Sequence, residues 1–299
     1  MISHYIPEDQ FPMPLSPRTQ MVGNYFFNLF LIQGREKSAL FETGVSGVVD
    51  SVIDQLRQLG VEPDYLIPSH PHSDHITGLP GLVEAFPRAQ VLVAKGAKEF
   101  ISHPKAGAAL IAEDAFISKG LENQGLPPRR PPLTEIPRLE TARIVSRPRT
   151  LDLGGLSLEL IPVQGHSPGN LVARVPEENL VFCADSLGFH YPGRGVWPLY
   201  FTGAQAYLDT LEQLKKMDAS ILCPAHQGPI FGKEIPKILE MAIGETRQLI
   251  ERIKATPLEK EEDLAQELFE ESYRDEFTLY TQKNIMGCSR LLIKRGRQI

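Results

Sequence analysis

The segment SHPHSDHITG, residues 69–78, constrains this chain more than any other, because it places three histidines and an aspartate within six positions. The whole chain of 299 residues has only 8 histidines. The preceding stretch DYLIPSH predicts a short buried strand, and the following ITGLPGLVEAF predicts a helix. At the end of an extended segment, His70 and His72 project to one side, whereas Asp74 and His75 lie where the chain turns into the helix. The motif therefore predicts a metal site rather than a polar loop.

Imidazole and carboxylate ligands suit zinc, iron or manganese, and the lack of a cysteine ligand disfavours a closed structural site. Because Asp74 and His75 are adjacent, they cannot easily bind the same atom, so this pair is expected to serve a second centre nearby. Three more candidate ligands follow apolar runs: His166 in QGHSPGN, Asp185 in FCADSLG and His226 in CPAHQGP. Strand ends converge on one edge of an α/β sheet, so these side chains are predicted to meet there.

Strands alternate with helices along most of the chain and give way to helices alone after Pro236. This pattern predicts a mixed α/β domain of residues 1–235 and an all-helical C-terminal extension of residues 236–299. Apolar runs predict strands at 24–32, 38–42, 64–70, 90–94, 150–163, 170–175, 179–185 and 220–226. Helical spacing predicts helices at 47–60, 76–86, 203–217, 237–254, 260–273 and 284–295, the last with Asn284 as a candidate N-cap.

Residues 95 to about 140 differ in character from their surroundings. A helical, alanine-rich stretch leads into QGLPPRRPPLTEIPR, which contains too much proline for regular structure. We interpret this segment as an insertion, which either lies over a site or is a surface excursion without function. The aromatic cluster FHYPGRGVWPLYF (189–201) follows Asp185 and could form a pocket wall or pack in the core. Its candidate pocket residues are His190, Tyr191, Trp197, Tyr200 and Phe201.

Charge and cysteine content narrow the class of partner. The net charge of -6 argues against nucleic acid or an anionic membrane, so a small-molecule substrate is expected, with a homodimer as a possible assembly. The N-terminal sequence has no basic segment followed by an apolar one, so no signal peptide is predicted. Three widely spaced cysteines do not form a disulfide framework, which favours a cytoplasmic protein. His4 and His103 are expected to take no part in the site.

The order of these motifs resembles the metallo-β-lactamase superfamily of metal-dependent hydrolases. The resemblance rests on His-x-His-x-Asp-His at 70–75, Gly-His-Ser at 165–167, Asp185 and His226, and it covers residues 20–235. It implies an αββα sandwich with a two-metal site at the shared edge of the sheets. The ligands that it assigns to one metal are His70, His72 and His166, those of the other are Asp74, His75 and His226, and Asp185 bridges the two.

One position departs from the superfamily pattern. Members often carry Asp-Thr-Gly near the second strand, where this chain has FETG, so Glu42 replaces an aspartate that orients a ligand. The segments LFETG, FCADSLG, GVWPLYFTGAQAYLDTLEQLKK and PAHQGPIFG, with the helical tail, also resemble bacterial quinolone signal-response proteins of the acyl-CoA thioesterase type. That likeness includes the glutamate, and we expect the C-terminal extension to cover the active site.

Two bound divalent metals would acidify a bridging water to hydroxide, which could attack an ester-like carbonyl, with Asp74 orienting this water or transferring its proton. A leaving thiol has a pKa of about 8.5 and departs without a strong general acid, whereas amide or phosphodiester cleavage requires a positioned proton donor. This chemistry favours a thioesterase acting on acyl-CoA or related thioesters. Two alternatives remain open: another metallohydrolase, such as a lactonase, a glyoxalase-II-like enzyme or a phosphodiesterase, and a regulatory protein that retains the metals.

Overall fold

The computed structural model describes residues 5–299, so His4 lies outside the described part of the chain. A seven-stranded sheet contains, in spatial order, β1 (Met13–Ser16), β2 (Thr19–Gly23), β3 (Asn28–Gln33), β4 (Ser38–Phe41), β5 (Tyr65–Ile67), β6 (Gln90–Ala94) and β7 (Arg143–Val145). Strands β1 to β4 pair antiparallel, and β4 to β7 pair parallel. The carboxyl ends of β4, β5 and β6 therefore point the same way.

A second sheet has six strands, in the order β8 (Arg149–Asp152), β9 (Ser157–Val163), β10 (Asn170–Val175), β11 (Leu180–Phe182), β14 (Ile221–Cys223) and β15 (Ile230–Phe231). A separate two-stranded ribbon is formed by β12 (Phe189–Tyr191) and β13 (Gly195–Trp197). The helices are α1 (Val49–Gln58), α2 (Ser73–Ile76), α3 (Leu79–Ala85), α4 (Ala97–Ser102), α5 (Pro104–Asn123), α6 (Ala204–Lys215), α7 (Glu234–Ala255), α8 (Glu261–Ser272) and α9 (Gln282–Gly296).

Alternation along the strands divides the apolar side chains among three cores. In β3, Leu29 and Leu31 pack into a cluster that contains residues of α1, α3 and α5. Phe30 and Ile32 point the other way into a cluster between the two sheets, where the Phe30 and Phe182 rings lie 4.9 Å apart. The outer face of the second sheet packs against α6, α7, α8 and α9. The layers are therefore helices, the seven-stranded sheet, the six-stranded sheet and a second set of helices. This order confirms the predicted αββα sandwich with helices at the C-terminus.

Several predicted strands are shorter in the structure, and two differ from it most. The stretch 150–163 is a hairpin of β8 and β9, because Gly154 and Gly155 form its turn with φ values of 84° and 73°. The strand predicted from residue 24 begins only at residue 28, since the Asn24 side chain accepts from the N–H groups of Phe26 and Phe27 and holds a turn there. Strands β1, β2, β7, β12, β13 and β15 have no counterpart among the sequence predictions.

The helices of the C-terminal extension lie close to their predicted places. α7 begins at Glu234, so Pro236 falls in the first turn, where a missing N–H is tolerated. α9 begins before the predicted cap at Asn284, because the Thr281 hydroxyl accepts from the Asn284 N–H at 3.1 Å and caps the helix. Within residues 5–299, no helix is both long and apolar enough to cross a bilayer.

Candidate metal centre

The predicted ligands follow strands whose carboxyl ends reach one edge of the sandwich. In the second sheet β9, β11 and β14 run parallel to one another, and they are followed by His166, Asp185 and His226. The chain passes very close to α6 before His166: Gly165 has φ 105°, and a Cβ atom there would lie 2.3 Å from the Tyr207 Cα. Only glycine fits at this turn, and the turn aims His166 at the edge.

One cluster, hereafter the first group, consists of His70, His72, His166 and Asp185. The Nε2 atom of His70 lies 3.0 Å from His72 Nδ1 and 3.1 Å from His166 Nε2. The third nitrogen pair, His166 Nε2 and His72 Nδ1, is 3.2 Å apart. Asp185 Oδ2 is 3.8 Å from His70 Nε2 and 3.5 Å from His166 Nε2. Four potential donor atoms therefore surround one point.

The second group consists of Asp74, His75, Asp185 and His226, all buried. His75 Nε2 lies 3.2 Å from Asp74 Oδ2 and 3.4 Å from Asp185 Oδ2. The expectation that the adjacent Asp74 and His75 cannot easily bind one atom is therefore wrong, because the turn into α2 directs both side chains at the same point. His226 Nε2 lies 3.5 Å from Asp74 Oδ2 and 3.4 Å from Asp185 Oδ1. Asp185 thus belongs to both groups. The structure brings all seven residues that the sequence suggested as ligands into one continuous cluster.

Four of the five imidazoles are fixed through the ring nitrogen that points away from the cluster. The contacts are His70 Nδ1 with Ser69 Oγ at 2.9 Å, His75 Nδ1 with Glu42 Oε2 at 3.1 Å, His166 Nδ1 with the Leu199 carbonyl at 2.8 Å, and His226 Nδ1 with the Phe26 carbonyl at 2.6 Å. Such contacts fix the ring orientation and the tautomer of metal-binding histidines. They leave each Nε2 atom directed into the cluster. Glu42 lies where the sequence placed it, against a candidate ligand.

The donor set fits divalent metal ions. Both groups offer imidazole nitrogens and carboxylate oxygens, which are ligands that divalent zinc, iron and manganese accept. The buried Nε2 atoms of His75 and His226 have no well-aligned hydrogen-bond partner among the described residues, although carboxylate oxygens are near. In a tetrahedral zinc site with Zn–N distances of about 2.0–2.1 Å, ligand nitrogens lie about 3.4 Å apart, close to the spacing of the first group. The number and identity of the ions are proposals.

Electrostatics distinguish the two groups in the metal-free protein. In the first group, burial and the neighbouring imidazoles hold the pKa of His70 well below its ordinary value. Burial and His166 lower the pKa of His72 to about 3. Burial also lowers the pKa of His166. These rings are therefore neutral at physiological pH, the form in which histidine binds metal.

The second group attracts positive charge. Burial alone would lower the pKa of His75, but the carboxylates of Asp74 and Glu42 outweigh it and raise this pKa well above its ordinary value. For His226, burial is likewise outweighed by the carboxylates of Asp185 and Asp74, and the pKa rises to about 10. Burial opposes ionisation of both aspartates, but His75 and His226 hold their pKa values well below the usual range. The carboxylates of this group thus favour a bound positive charge.

A cavity of about 380 Å³ opens above the cluster, between helices α5 and α9. Its floor contains His72, Asp74, His166, Asp185 and His226, and its wall is mainly apolar. The apolar wall residues include Phe100 from α4, Leu110 from α5, Phe189 and Phe201 from the aromatic segment, Phe277, and Ile285 from α9. The insertion and the C-terminal extension therefore both supply the wall above the candidate ligands.

The aromatic segment contributes to this wall with different side chains than predicted. Of the five candidates, only Phe201 lies on the cavity. Tyr200 is fully buried in the core, and Trp197 packs between two core clusters. Tyr191 is buried and its hydroxyl donates to the Ser272 carbonyl at 2.9 Å, while His190 is half-buried and does not line the cavity. Because side chains alternate along β12, Phe189 faces the cavity instead of His190.

Tyr280 was not among the sequence candidates, although its side chain lies against the cluster. Its hydroxyl donates to Asp74 Oδ2 at 2.7 Å, across 206 positions of sequence. Burial and the carboxylates of Asp74 and Asp185 raise its pKa well above its ordinary value, so the phenol remains a donor. The segment around Tyr280 has no recognisable motif, so no local pattern could have indicated this contact.

Two buried carboxylates of α5 attach the insertion to its neighbours. Glu113 accepts hydrogen bonds from the backbone N–H and the hydroxyl of Thr281, the residue that follows Tyr280. Asp114 accepts from the Ser46 hydroxyl at 2.6 Å and from the Thr77 hydroxyl, just after α2, also at 2.6 Å. The insertion is thereby connected to both the candidate ligand helix and the C-terminal extension.

Residues 23–226, about two thirds of the chain, match the family described as the Metallo-beta-lactamase superfamily. The chain belongs to this superfamily. Its members are mostly metal-dependent hydrolases.

Curated relatives agree with this assignment at low identity. Protein YobT of Bacillus subtilis is 26% identical over 148 residues, which are 48% of this chain and 54% of the relative. The metallo-beta-lactamase fold-containing protein of Sulfurisphaera tokodaii is 24% identical over 225 residues, 71% of this chain and 75% of the relative. The hydroxyacylglutathione hydrolase of Parasynechococcus marenigrum is 26% identical over 188 residues, 60% of this chain and 59% of that enzyme. The chain thus spans between about half and three quarters of these relatives.

Among solved structures, a metallo-beta-lactamase family protein from Thermus thermophilus superposes with a TM-score of 0.60 at 21% identity, covering 91% of this chain and 93% of its own. At this identity the likeness shows a shared fold and does not indicate the substrate. The fold shared with that protein therefore extends over most of the chain. The residues that line the cavity are the structural evidence on which substrate this chain binds.

Proposed function

We propose that this chain is a dinuclear metal-dependent hydrolase of thioester or activated ester bonds, with acyl-CoA or related thioesters as its substrates. The observation that carries the proposal is the position of the two ligand groups, which share Asp185, at the floor of a mainly apolar cavity. An apolar wall of this kind suits the hydrocarbon part of an acyl group. Hydrolysis adds water across the bond between the carbonyl carbon and sulfur and gives a carboxylate and a thiol.

When bound, divalent zinc, iron or manganese would supply an acidified water molecule and polarise the substrate carbonyl. His70, His72 and His166 would hold one ion, while the second group would hold the other. Asp74 lies on the cavity floor with Oδ2 bound by the Tyr280 hydroxyl, so this carboxylate is placed to orient water or accept a proton.

Preference for a thioester follows from the leaving group. A thiolate departs without a strong acid, whereas an amine or an alkoxide requires a proton donor. The Tyr280 phenol, which could be such a donor, is engaged with Asp74. The likeness to bacterial quinolone signal-response proteins supports the same chemistry. So does a relative named for hydrolysis of a hydroxyacyl derivative of glutathione.

The proposed function assigns different roles to different parts of the chain. In our proposal, residues 1–235 form the catalytic domain, and the insertion of residues 95–140 together with the extension of residues 236–299 covers the site and selects the substrate. A cytoplasmic location, a small-molecule substrate and a possible homodimer are parts of the same proposal. Size-exclusion chromatography with light scattering would test the homodimer.

The proposal is tested by loading the protein separately with zinc, iron(II) and manganese, and determining metal content by elemental analysis. Hydrolysis is measured as thiol release from thioesters, acid release from a lactone and p-nitrophenolate release from a phosphodiester. The substrates are acyl-CoA esters of increasing chain length, S-lactoylglutathione, a lactone and bis-p-nitrophenyl phosphate. We expect thioester turnover that Asp185→Asn abolishes. Faster turnover of the lactone or the phosphodiester would replace thioesterase with one of those activities. Absence of all turnover in fully loaded protein would favour a regulatory role.

A further inference from the structure

Helix α9 and the residue after it carry four cationic side chains in eight positions: Arg290, Lys294, Arg295 and Arg297. Two of them serve helix packing, since Arg290 pairs with Glu262 and Arg297 pairs with Glu261, both in the first turn of α8. Lys294 is exposed to solvent. Cations near a helix C-terminus are also favoured by the helix dipole, so these three need no further role.

Arg295 differs from the other three because it is half-buried and lines the cavity above the candidate ligands. Its Nε donates to the Phe201 carbonyl at 3.1 Å, and its Nη1 donates to Gln298 Oε1 at 3.0 Å. A guanidinium has five N–H groups, so these two bonds leave donors unused. Among the described residues, no carboxylate lies within ion-pair distance of Arg295, although desolvating a cation without a counter-charge is costly.

The charged side chains on the cavity surface identify Arg295 as the cationic side chain outside the two ligand groups. Apart from residues of the two ligand groups, the charged side chains on the cavity surface are Glu113 and Arg295. Both oxygens of Glu113 accept hydrogen bonds from Thr281, so this carboxylate is fully engaged. Arg295 is thus the cationic donor that an anionic group away from the ligand groups would meet in this cavity.

The anchor of Arg295 also relates it to the candidate metal ligands. The Phe201 ring, whose backbone carbonyl accepts from Arg295, lies 5.4 Å from the His166 ring and 6.1 Å from the His72 ring, measured between centroids. Phe201 thus contacts Arg295 through its backbone carbonyl and faces the first group with its ring, and Arg295, His72 and His166 line the same cavity. A single substrate molecule can reach both places.

We infer that Arg295 binds an anionic group of the substrate, so the enzyme acts on anionic acyl compounds; this inference rests on the proposed function. A planar guanidinium fixed by two hydrogen bonds can bind a carboxylate or a phosphate through paired N–H donors. The anion has two possible sources, a carboxylate on the acyl group or a phosphate on the thiol part. The shared chemistry is an oxyanion held at Arg295 while the acyl chain occupies the apolar wall.

The test compares three thioesters of one acyl length: a neutral acyl-N-acetylcysteamine, its ω-carboxylated analogue and the acyl-CoA. Arg295→Met keeps the apolar stem and removes the charge, Arg295→Lys keeps the charge without the fork, and Lys294→Met is a matched control on the neighbouring position. We expect Arg295→Met to raise KM about 10- to 100-fold for an anionic substrate, the range of one hydrogen bond to a charged group. KM for the neutral thioester should change little.

The outcomes separate the two sources and the competing explanations. An effect confined to acyl-CoA places the anion on the thiol part, and one confined to the ω-carboxylated thioester places it on the acyl group. Equal effects of Arg295→Met on neutral and anionic substrates, or the same effect from Lys294→Met, would overturn the inference. Thermal denaturation of each variant checks that it is folded.

A binding measurement keeps the inference testable if no thioester is turned over. Octanoate and octanol are titrated by calorimetry into the wild-type protein and Arg295→Met. We expect the dissociation constant of octanoate to rise about 10- to 100-fold in the variant and that of octanol to stay the same. Free CoA is titrated in the same way, and unchanged binding of both octanoate and CoA in Arg295→Met would refute the role of Arg295. Failure of turnover alone would refute only the thioesterase.

Discussion

Replacing Tyr280 with phenylalanine removes the hydroxyl that donates to Asp74 Oδ2 at 2.7 Å and leaves the ring in place. The same oxygen lies 3.2 Å from His75 Nε2 and 3.5 Å from His226 Nε2, so it is the atom through which Asp74 would complete the second group. Without the phenol, the carboxylate can rotate away from this position. We therefore expect Tyr280→Phe to weaken metal binding at the second group and to spare the first group.

The expected magnitude follows from the type of bond that is lost. A hydrogen bond to a charged acceptor contributes about 1.5–3 kcal/mol, and losing a contact that orients a metal ligand typically costs about 10- to 100-fold in affinity or activity. Since the ring and its backbone contact with the Tyr273 hydroxyl are retained, most of the packing energy is unaffected. We expect the second metal equivalent to bind about 10- to 100-fold more weakly and kcat for thiol release to fall by a similar factor.

The assay is a competition between the protein and a chromophoric chelator, with metal content determined by elemental analysis at each step. Tyr191→Phe is the matched control, because it removes another buried hydroxyl, the one that donates to the Ser272 carbonyl at 2.9 Å, away from the ligand groups. This control should reduce unfolding free energy by about 1 kcal/mol without changing metal affinity. Equal weakening of both metal equivalents, or an unchanged second equivalent in Tyr280→Phe, would refute the reasoning.

Three further results are expected. Glu42→Gln, which disturbs the 3.1 Å contact with His75 Nδ1, should weaken the second metal about 10- to 100-fold in the same competition. Metal must displace protons from His75 and His226, whose pKa values are raised, so metal affinity at the second group should increase as pH rises towards about 10. Calorimetry in buffers of different ionisation enthalpy should detect proton release when metal binds to the second group and none when it binds to the first group. Glu113→Gln weakens the bonds to Thr281 and should lower the unfolding free energy by about 1–3 kcal/mol in urea, whereas Glu122→Gln, at an exposed ion pair, should not.

The candidate ligands could be predicted because each follows a strand whose apolar run is visible in the sequence. The order of strands within a sheet is not visible, but parallel strands place their carboxyl ends together whatever their order. His166, Asp185 and His226 therefore lie beside His70 at one edge, as their positions in the sequence predict. The same reasoning failed at 150–163, where two adjacent glycines, Gly154 and Gly155, turn the chain inside what reads as a single apolar run.

The cavity wall could not be predicted in the same way, because its residues come from helices whose packing partners are distant in sequence. A helical pattern shows which residues are apolar but not which of them face a cavity rather than a core. In the aromatic segment, Phe189 lines the cavity, whereas the next residue, His190, does not. Tyr280 meets Asp74 only because α5 packs against both α2 and the segment Asp275–Leu279 that precedes Tyr280, and that arrangement is a property of tertiary packing.

Tyr280 and Thr281 are adjacent, so their contacts connect α5, which lines the cavity, with the second group. Tyr280 donates to Asp74, while Thr281 is held by Glu113 of the insertion. A displacement of α5 that releases Thr281 must therefore also move the phenol relative to the second group. Glu113→Gln should for this reason weaken the second metal as well as the fold, although less than Tyr280→Phe does, because the hydroxyl itself remains. If instead Glu113→Gln destabilises the protein and leaves both metal equivalents unchanged, the cover and the ligand groups are mechanically independent.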